Sequence, residues 1–306
     1  MTTLPMQPTT TQAQAETGEA VKAAGTKPRL RFSRKLLAIP YALFLAVFVV
    51  IPLLIVVYYA FTNDDGKFTL EYVKVFFNEN GEGLKGFFTS YNFKTIMQSL
   101  FISVMSTIVC LLIAYPVAYI IAKCKLKNKS TLLLLFIVPM WVNFVLRINA
   151  LKELFVWLGT YNKSDAWNIA NTIIGMVYDF LPFMILPIYT TIIKIDKSYL
   201  EAAKDLGATP AKAFVKITLP LSKAGIISGI SMVFLPSMTN YVVSNYLTFR
   251  NVKIIGKLID DYFTGDLWHD GSFIALILLL FMFVVTWATG GFNEDEQTDT
   301  RGASLW

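Results

Sequence analysis

Residues 95–122, TIMQSLFISVMSTIVCLLIAYPVAYIIA, run without a single charge between Lys94 and Lys123. A helix rising 1.5 Å per residue needs about 20 mostly apolar residues to cross a hydrocarbon core about 30 Å thick. This stretch is long enough, and it lacks the two-residue alternation of a membrane barrel strand, so it reads as a spanning helix over 96–122. Working outward, the stretches between Leu36 and Asn63, between Lys223 and Arg250, and between Asp270 and Glu294 are also free of charge. Two less clean runs carry Arg147 and Asp179. The sequence therefore predicts an all-α, polytopic membrane protein with about six spans, near 37–61, 96–122, 131–151, 168–193, 224–248 and 272–290.

Composition agrees. Of 306 residues, 55% are hydrophobic and 16% charged, against about 25% charged in a soluble domain; the mean hydropathy is +0.54. The net charge of +6 would suit nucleic acid, but the cations sit in short segments between apolar runs, which favours the bilayer as partner and no nucleic acid. Cys110 and Cys124 make no disulfide framework, and the lone His269 leaves little material for a metal or catalytic cluster. Neither a metal nor a cofactor is expected. Residues 1–35 are polar and basic and are expected to be disordered; the apolar run that follows is too long for a signal-peptide core.

Orientation follows from the basic segments. The N-terminal Lys22, Lys27, Arg29, Arg31, Arg34 and Lys35, the turn with Lys123, Lys125, Lys127 and Lys129, and the segment with Lys194, Lys197, Lys204, Lys212, Lys216 and Lys223 all fall on one side if both termini are cytoplasmic. The opposite segments are mixed or acidic, among them Asp260, Asp261, Asp266 and Asp270. The domain expectation is a transmembrane body over 36–290 and an acidic cytoplasmic tail over 291–306. Pro52, Pro116, Pro139, Pro182, Pro187 and Pro236 lie inside apolar runs, either as packing kinks or as marks of a substrate path.

Residues 196–220 carry the most information. Ser198 and Glu201 have capping-box spacing, so a short helix is predicted over 199–206, stopped by Gly207. Thr209 can cap a second helix with Pro210 at its first position, and Pro220 is expected to end it. Glu201-Ala202-Ala203, Gly207 and Ile217-Thr218-Leu219-Pro220 resemble, at every spacing, the Glu-Ala-Ala (EAA) loop of ABC importer permeases of the MetI-like class. Phe136–Trp141, Arg147, the stretch from Tyr178 to Met184 and Leu200–Gly207 extend the similarity to the PotB-type permease of spermidine/putrescine importers, over roughly 38–290. The resemblance implies a multi-pass protein of the bacterial inner (plasma) membrane. It implies that Glu201, Ala202, Ala203, Gly207, Ile217, Leu219 and Pro220 couple the chain to a cytoplasmic ATPase. A second permease subunit and an extracytoplasmic substrate-binding protein would complete the importer. The chain has no phosphate-binding Gly-x-x-x-x-Gly-Lys-Ser/Thr loop, so it is expected to be a non-catalytic subunit driven by that partner.

Asp179 falls about 16 Å into span four, near the membrane midplane. Charges there are costly and often functional. A polyamine path needs carboxylates and aromatic faces, and Tyr178, Trp141, Asn143, Tyr241 and Asn245 are the further candidates. The alternative is that Asp179 pairs with Arg147 or lies protonated at a helix interface. Asp260–Asp270 can attract polycations, dock the binding protein, or simply place its aromatics at headgroup level. Rival readings are another small solute such as iron, phosphate or thiosulfate, a channel or secondary transporter, and a membrane-bound enzyme.

Overall fold

A computed structural model describes residues 34–77, 88, 90–124 and 129–288. Most of the N-terminal segment, part of the four-lysine turn and the acidic tail lie outside the described residues. Among those described there is no strand, only one antiparallel bridge between Thr62 and Phe68.

The chain divides into two compact units, 1–53 and 54–306. The first ends within an apolar helix, Ala38–Ala60. That helix is built from α1 (Arg34–Leu45), a π turn (Ala46–Val50) and α2 (Ile51–Phe61). The Ile51 N–H reaches back to the Ala46 carbonyl. This widened register ends two residues before Pro52, whose missing N–H would have interrupted an α-type ladder.

The second unit contains α3 (Glu71–Phe77), α4 (Tyr91–Lys123), α5 (Lys129–Ile137), α6 (Phe144–Trp157), α7 (Asp165–Ile193), α8 (Lys197–Asp205), α9 (Pro210–Ala213), α10 (Leu219–Leu221), α11 (Lys223–Thr239), α12 (Tyr241–Leu247), α13 (Ile255–Thr264) and α14 (Trp268–Ala288). Among the described residues, four helices are long and apolar enough to cross a membrane: Ala38–Ala60, Tyr91–Lys123, Asp165–Ile193 and Trp268–Trp287. Two further apolar helix pairs are bent, Thr131–Trp141 with Phe144–Trp157 by 92° and Pro210–Leu221 with Lys223–Thr239 by 62°. Counting each pair as one span gives six.

Breaks inside the apolar runs correct two expected spans. Span three is not one helix over 131–151: a 3-10 turn over Val138–Trp141 holds Pro139, Val142 is extended, and the Asn143 side chain accepts from the Val145 and Leu146 N–H groups to start α6. Span five, expected over 224–248, divides at Asn240, whose N–H bonds back to the Pro236 carbonyl before α12 begins. Spans two and four also start earlier than expected, at Tyr91 and Asp165, where Ser90 and Ser164 cap them.

Helices α4, α7 and α11 form the centre of this unit. α4 buries Ser99, Ser103, Ser106, Cys110, Ala114 and Ala118, a stripe at helical spacing that lets backbones approach closely. Ser99, Ser103 and Thr107 donate to the carbonyls four residues back at 2.7–2.8 Å, and the Ser99 oxygen also accepts from the Ile255 N–H at 2.7 Å. The opposite face exposes Phe101, Leu112 and Ile120, as suits lipid. The α7–α11 contact depends on glycine. A Cβ on Gly225 would stand 2.6 Å from the Pro187 carbonyl oxygen, and one on Gly229 would stand 2.7 Å from the Met184 sulfur.

Candidate functional site

The loop between α7 and α11 is built by local rules. Its first helix, α8, is capped by Asp196, which accepts from the Ser198 N–H at 3.0 Å; the predicted Ser198 cap is thereby corrected by two residues. An aspartate accepts such a bond in its charged form. The Ser198 backbone and side-chain donors hold the Asp196 carboxyl below its usual pKa. At the other end Gly207 has φ +75°. Its N–H bonds the Lys204 carbonyl and the Ala208 N–H bonds that of Ala203, the paired bonds of a Schellman stop. Thr209 then caps Pro210–Ala213 through the Lys212 N–H.

Pro220 does not end the second helix. A π turn over Phe214–Thr218 carries the Leu219 N–H to the Phe214 carbonyl, and the helix continues through Pro220 to Leu221. The break comes at buried Ser222, where the 62° bend into α11 lies. Ser222 Oγ is 2.9 Å from Tyr115 Oη on α4, and the Phe214 ring meets Tyr115 and Tyr119 edge-on at 5.7 and 5.0 Å. The second half of the loop is thus fastened to span two, a connection that spacing alone did not reveal.

Of the seven loop residues singled out from sequence, Glu201, Ala202, Gly207, Leu219 and Pro220 are exposed, Ala203 is buried and Ile217 is half-buried. Leu206, at the tip, is 88% exposed, and Tyr199 also faces outward. Glu201, Lys197, Leu200 and Lys204 line a cleft of about 620 Å³ with Lys123 and Cys124 at the end of α4.

The second set of candidates is only partly assembled. Asp179, halfway along α7, is ion-paired to Arg147 at 2.8 Å, both side chains 10% exposed. Asn240, at the break between α11 and α12, donates to the other Asp179 oxygen at 3.4 Å. The Arg147 guanidinium lies 5.7 Å from the Tyr178 ring centre, so Asp179, Tyr178, Arg147 and Asn240 form one group where two broken spans meet an unbroken one. Asn143 is occupied as the α6 cap, and Trp141 is 82% exposed. The Tyr241 hydroxyl donates to Asp260 at 3.5 Å. Asn245 lines a separate cavity of about 560 Å³ with Lys152, Tyr161 and Arg250. The sequence missed Asn240 because one amide inside an apolar run carries no charge to betray a break.

Within the acidic segment, Asp260 and Asp261 on α13 are neutralised. Lys257 bonds Asp260 and Asp261 at 2.6 and 2.9 Å, and Lys253 lies 3.8 Å from Asp261. These carboxylates hold the Lys257 pKa above its usual value. Among the described residues, no group of three or more His, Cys, Asp or Glu side chains is placed to hold a metal.

Residues 99–293 match the family described as "Binding-protein-dependent transport system inner membrane component". The chain is 34% identical over 252 residues to the spermidine/putrescine transport system permease protein PotB of Escherichia coli, a match covering 78% of this chain and 90% of that one. The Haemophilus influenzae protein of the same name is 34% identical over 265 residues, covering 82% and 91%. Among solved structures, a bacterial ABC transporter that imports the acidic polysaccharide alginate superposes with a TM-score of 0.64 at 14% identity, over 85% of this chain and 94% of that one. The same type of transporter in complex with an alginate-bound periplasmic protein gives 0.62, also at 14% identity. These last two likenesses speak to the fold alone.

Proposed function

The chain belongs to the family of binding-protein-dependent transport system inner membrane components, multi-pass permeases of ABC importers, and from that premise we propose that it carries polyamines, spermidine or putrescine, into the cell. The cargo reading rests on one observation, the identity shared with spermidine/putrescine permeases over most of the chain. The fold does not choose the cargo, since a transporter of a polyanion shares it.

In this reading α8–α10 is a coupling lever. Its tip presents Leu206 and Tyr199 to solvent, and large apolar side chains projecting together suit a docking partner. That partner is a cytoplasmic ATPase, with Glu201 and its cleft facing a cation on it. The loop side is then cytoplasmic, as are both termini, with Lys123 beside the same cleft in keeping with the positive-inside rule. Nucleotide-driven closure of the ATPase pulls α8–α10. The Tyr115–Ser222 bond and the bend at Ser222 pass that motion to spans two and five, which rock between two packings. A second permease subunit and an extracytoplasmic binding protein complete the assembly. The cargo passes Asp179 and Tyr178, with Tyr241, Asn245, Trp141 and Asn143 as further wall residues.

The test is uptake of radiolabelled spermidine and putrescine by proteoliposomes containing the whole importer, with ATP inside and binding protein outside. Accumulation that needs both partners is expected. Uptake without ATP would mark a channel, and accumulation of another solute instead would remove the polyamine reading.

A further inference from the structure

A small chamber of about 60 Å³ lies among α3, the start of α4, α13 and the start of α14, lined by Tyr72, Phe76, Asn92, Tyr262, Asp270 and Phe273. A buried water needs roughly 10–15 Å³ of such volume, so the space admits the end of an alkyl chain bearing a small polar group. Its walls are aromatic: Phe76 and Phe273 meet edge-on at 5.6 Å. The Tyr262 hydroxyl donates to Asn92 at 3.4 Å. Among the described residues Asp270 makes no ion pair and no side-chain hydrogen bond, whereas Asp260 and Asp261 are matched by lysines. The neighbouring cation-forming group, His269, stacks on Tyr72 and makes its contacts to Asp64 at 3.2 Å and to the Tyr59 carbonyl at 2.9 Å, reaching Asp270 only through its charge. The local field is negative, for the Tyr72 phenol is raised above its usual pKa by burial and then by Asp64, Asp270 and Glu71.

We propose that this chamber is a subsite for one primary alkylammonium group, with Asp270 as its charge partner and the four rings as its walls. A carboxylate supplies the counter-charge and ring faces attract a cation that has shed water; an anion or a neutral sugar finds neither here. Asn92 is at the start of α4 and Lys123, beside the coupling cleft, is at its end, about 46 Å away along the helix. The chamber is thus at the face opposite the lever, where cargo arrives. It rests on the polyamine reading only for the identity of the natural cation. That cation is the end of a free polyamine or a lysine on the docking binding protein.

The experiment uses the assembled importer carrying Asn92→Cys with Cys110→Ala and Cys124→Ala, and follows modification of the new thiol by a methanethiosulfonate reagent. Millimolar n-butylammonium and spermidine are expected to slow the reaction, while sodium and the bulkier tetraethylammonium do not. Asp270→Asn should weaken that protection about tenfold and Asp270→Glu should largely keep it. Equal protection by every cation, or undiminished protection in Asp270→Asn, overturns the proposal. Protection by amine alone assigns the subsite to free cargo; additional protection by the binding protein, lost in Asp270→Asn, assigns it to a lysine. Butylammonium protection in an importer that accumulates no spermidine would remove the polyamine reading and leave the subsite standing. Should the cysteine variant not assemble, Asp270→Asn alone is read by uptake: about a tenfold rise in half-saturating spermidine supports the subsite, and no change overturns it.

Discussion

The Arg147 guanidinium lies 2.8 Å from the Asp179 carboxylate, with Asn240 at the break of the neighbouring span on the other oxygen. Both charges are out of water, so each compensates the other. Removing one partner leaves an uncompensated buried charge, a loss on the order of 3–5 kcal/mol, while removing both is often near neutral. Arg147→Gln or Asp179→Asn alone should therefore lower the thermal unfolding temperature of the purified assembly far more than the double variant. The double variant also separates structure from transport. If Asp179 meets the cargo, it unfolds like the wild type yet takes up spermidine poorly; normal uptake would leave the pair a structural role only.

Gly207 is left-handed with nothing within 4 Å of where a Cβ would stand. The restriction is therefore backbone conformation, about 1–2 kcal/mol for an ordinary L residue, and not space. Asparagine tolerates this region, so Gly207→Asn should retain most binding-protein-stimulated ATP hydrolysis and Gly207→Val should lose much of it. Gly207→Asp has similar backbone tolerance but adds a charge at the docking tip, and it should abolish transport while membrane insertion stays intact. Normal transport by Gly207→Asp would take the tip out of the ATPase interface.

The Tyr115–Ser222 bond crosses from span two to the hinge of the coupling loop. Losing one hydrogen bond is worth about 1 kcal/mol, and a shared bond can be lost only once. Tyr115→Phe and Ser222→Ala should each raise the ATP consumed per spermidine imported, and the double variant should be no worse than Ser222→Ala, which also loses the bond from Ser222 Oγ to the Leu219 carbonyl at 3.0 Å. Additive losses would mean that the two hydroxyls act separately.

What the sequence disclosed and what it hid follow from the range of the forces involved. Apolar runs are long, so helices able to span were legible from charge alone. Gly207, Thr209 and Pro210 act within a few residues of themselves, and the two-helix loop was legible for that reason. The breaks at Val142–Asn143 and Asn240 were not, because a charge-free run has the same hydropathy whether straight or bent; Pro139 and Pro236 were the only local hints. Pairing at the candidate path is tertiary. Spacing placed Asp179 at mid-helix and offered Arg147 as one possible partner, but nothing in sequence brought Asn240 to it.

The contact of α7 with α11 gives a graded test of how closely spans four and five must pack. At Gly225 an added methyl meets the Pro187 carbonyl oxygen at 2.6 Å and the Thr191 side chain at 2.5 Å. Backbone cannot swing away, so the helices themselves must part, at a cost of roughly 1–3 kcal/mol. At Gly229 the nearest atom is the Met184 sulfur at 2.7 Å, the far part of a flexible side chain that can change rotamer. Gly225→Ala should accordingly lower the unfolding temperature and reduce uptake more than Gly229→Ala does. The order decides the matter: equal effects, or a harsher Gly229→Ala, would mean that the two spans do not meet as closely at Gly225 in the working importer.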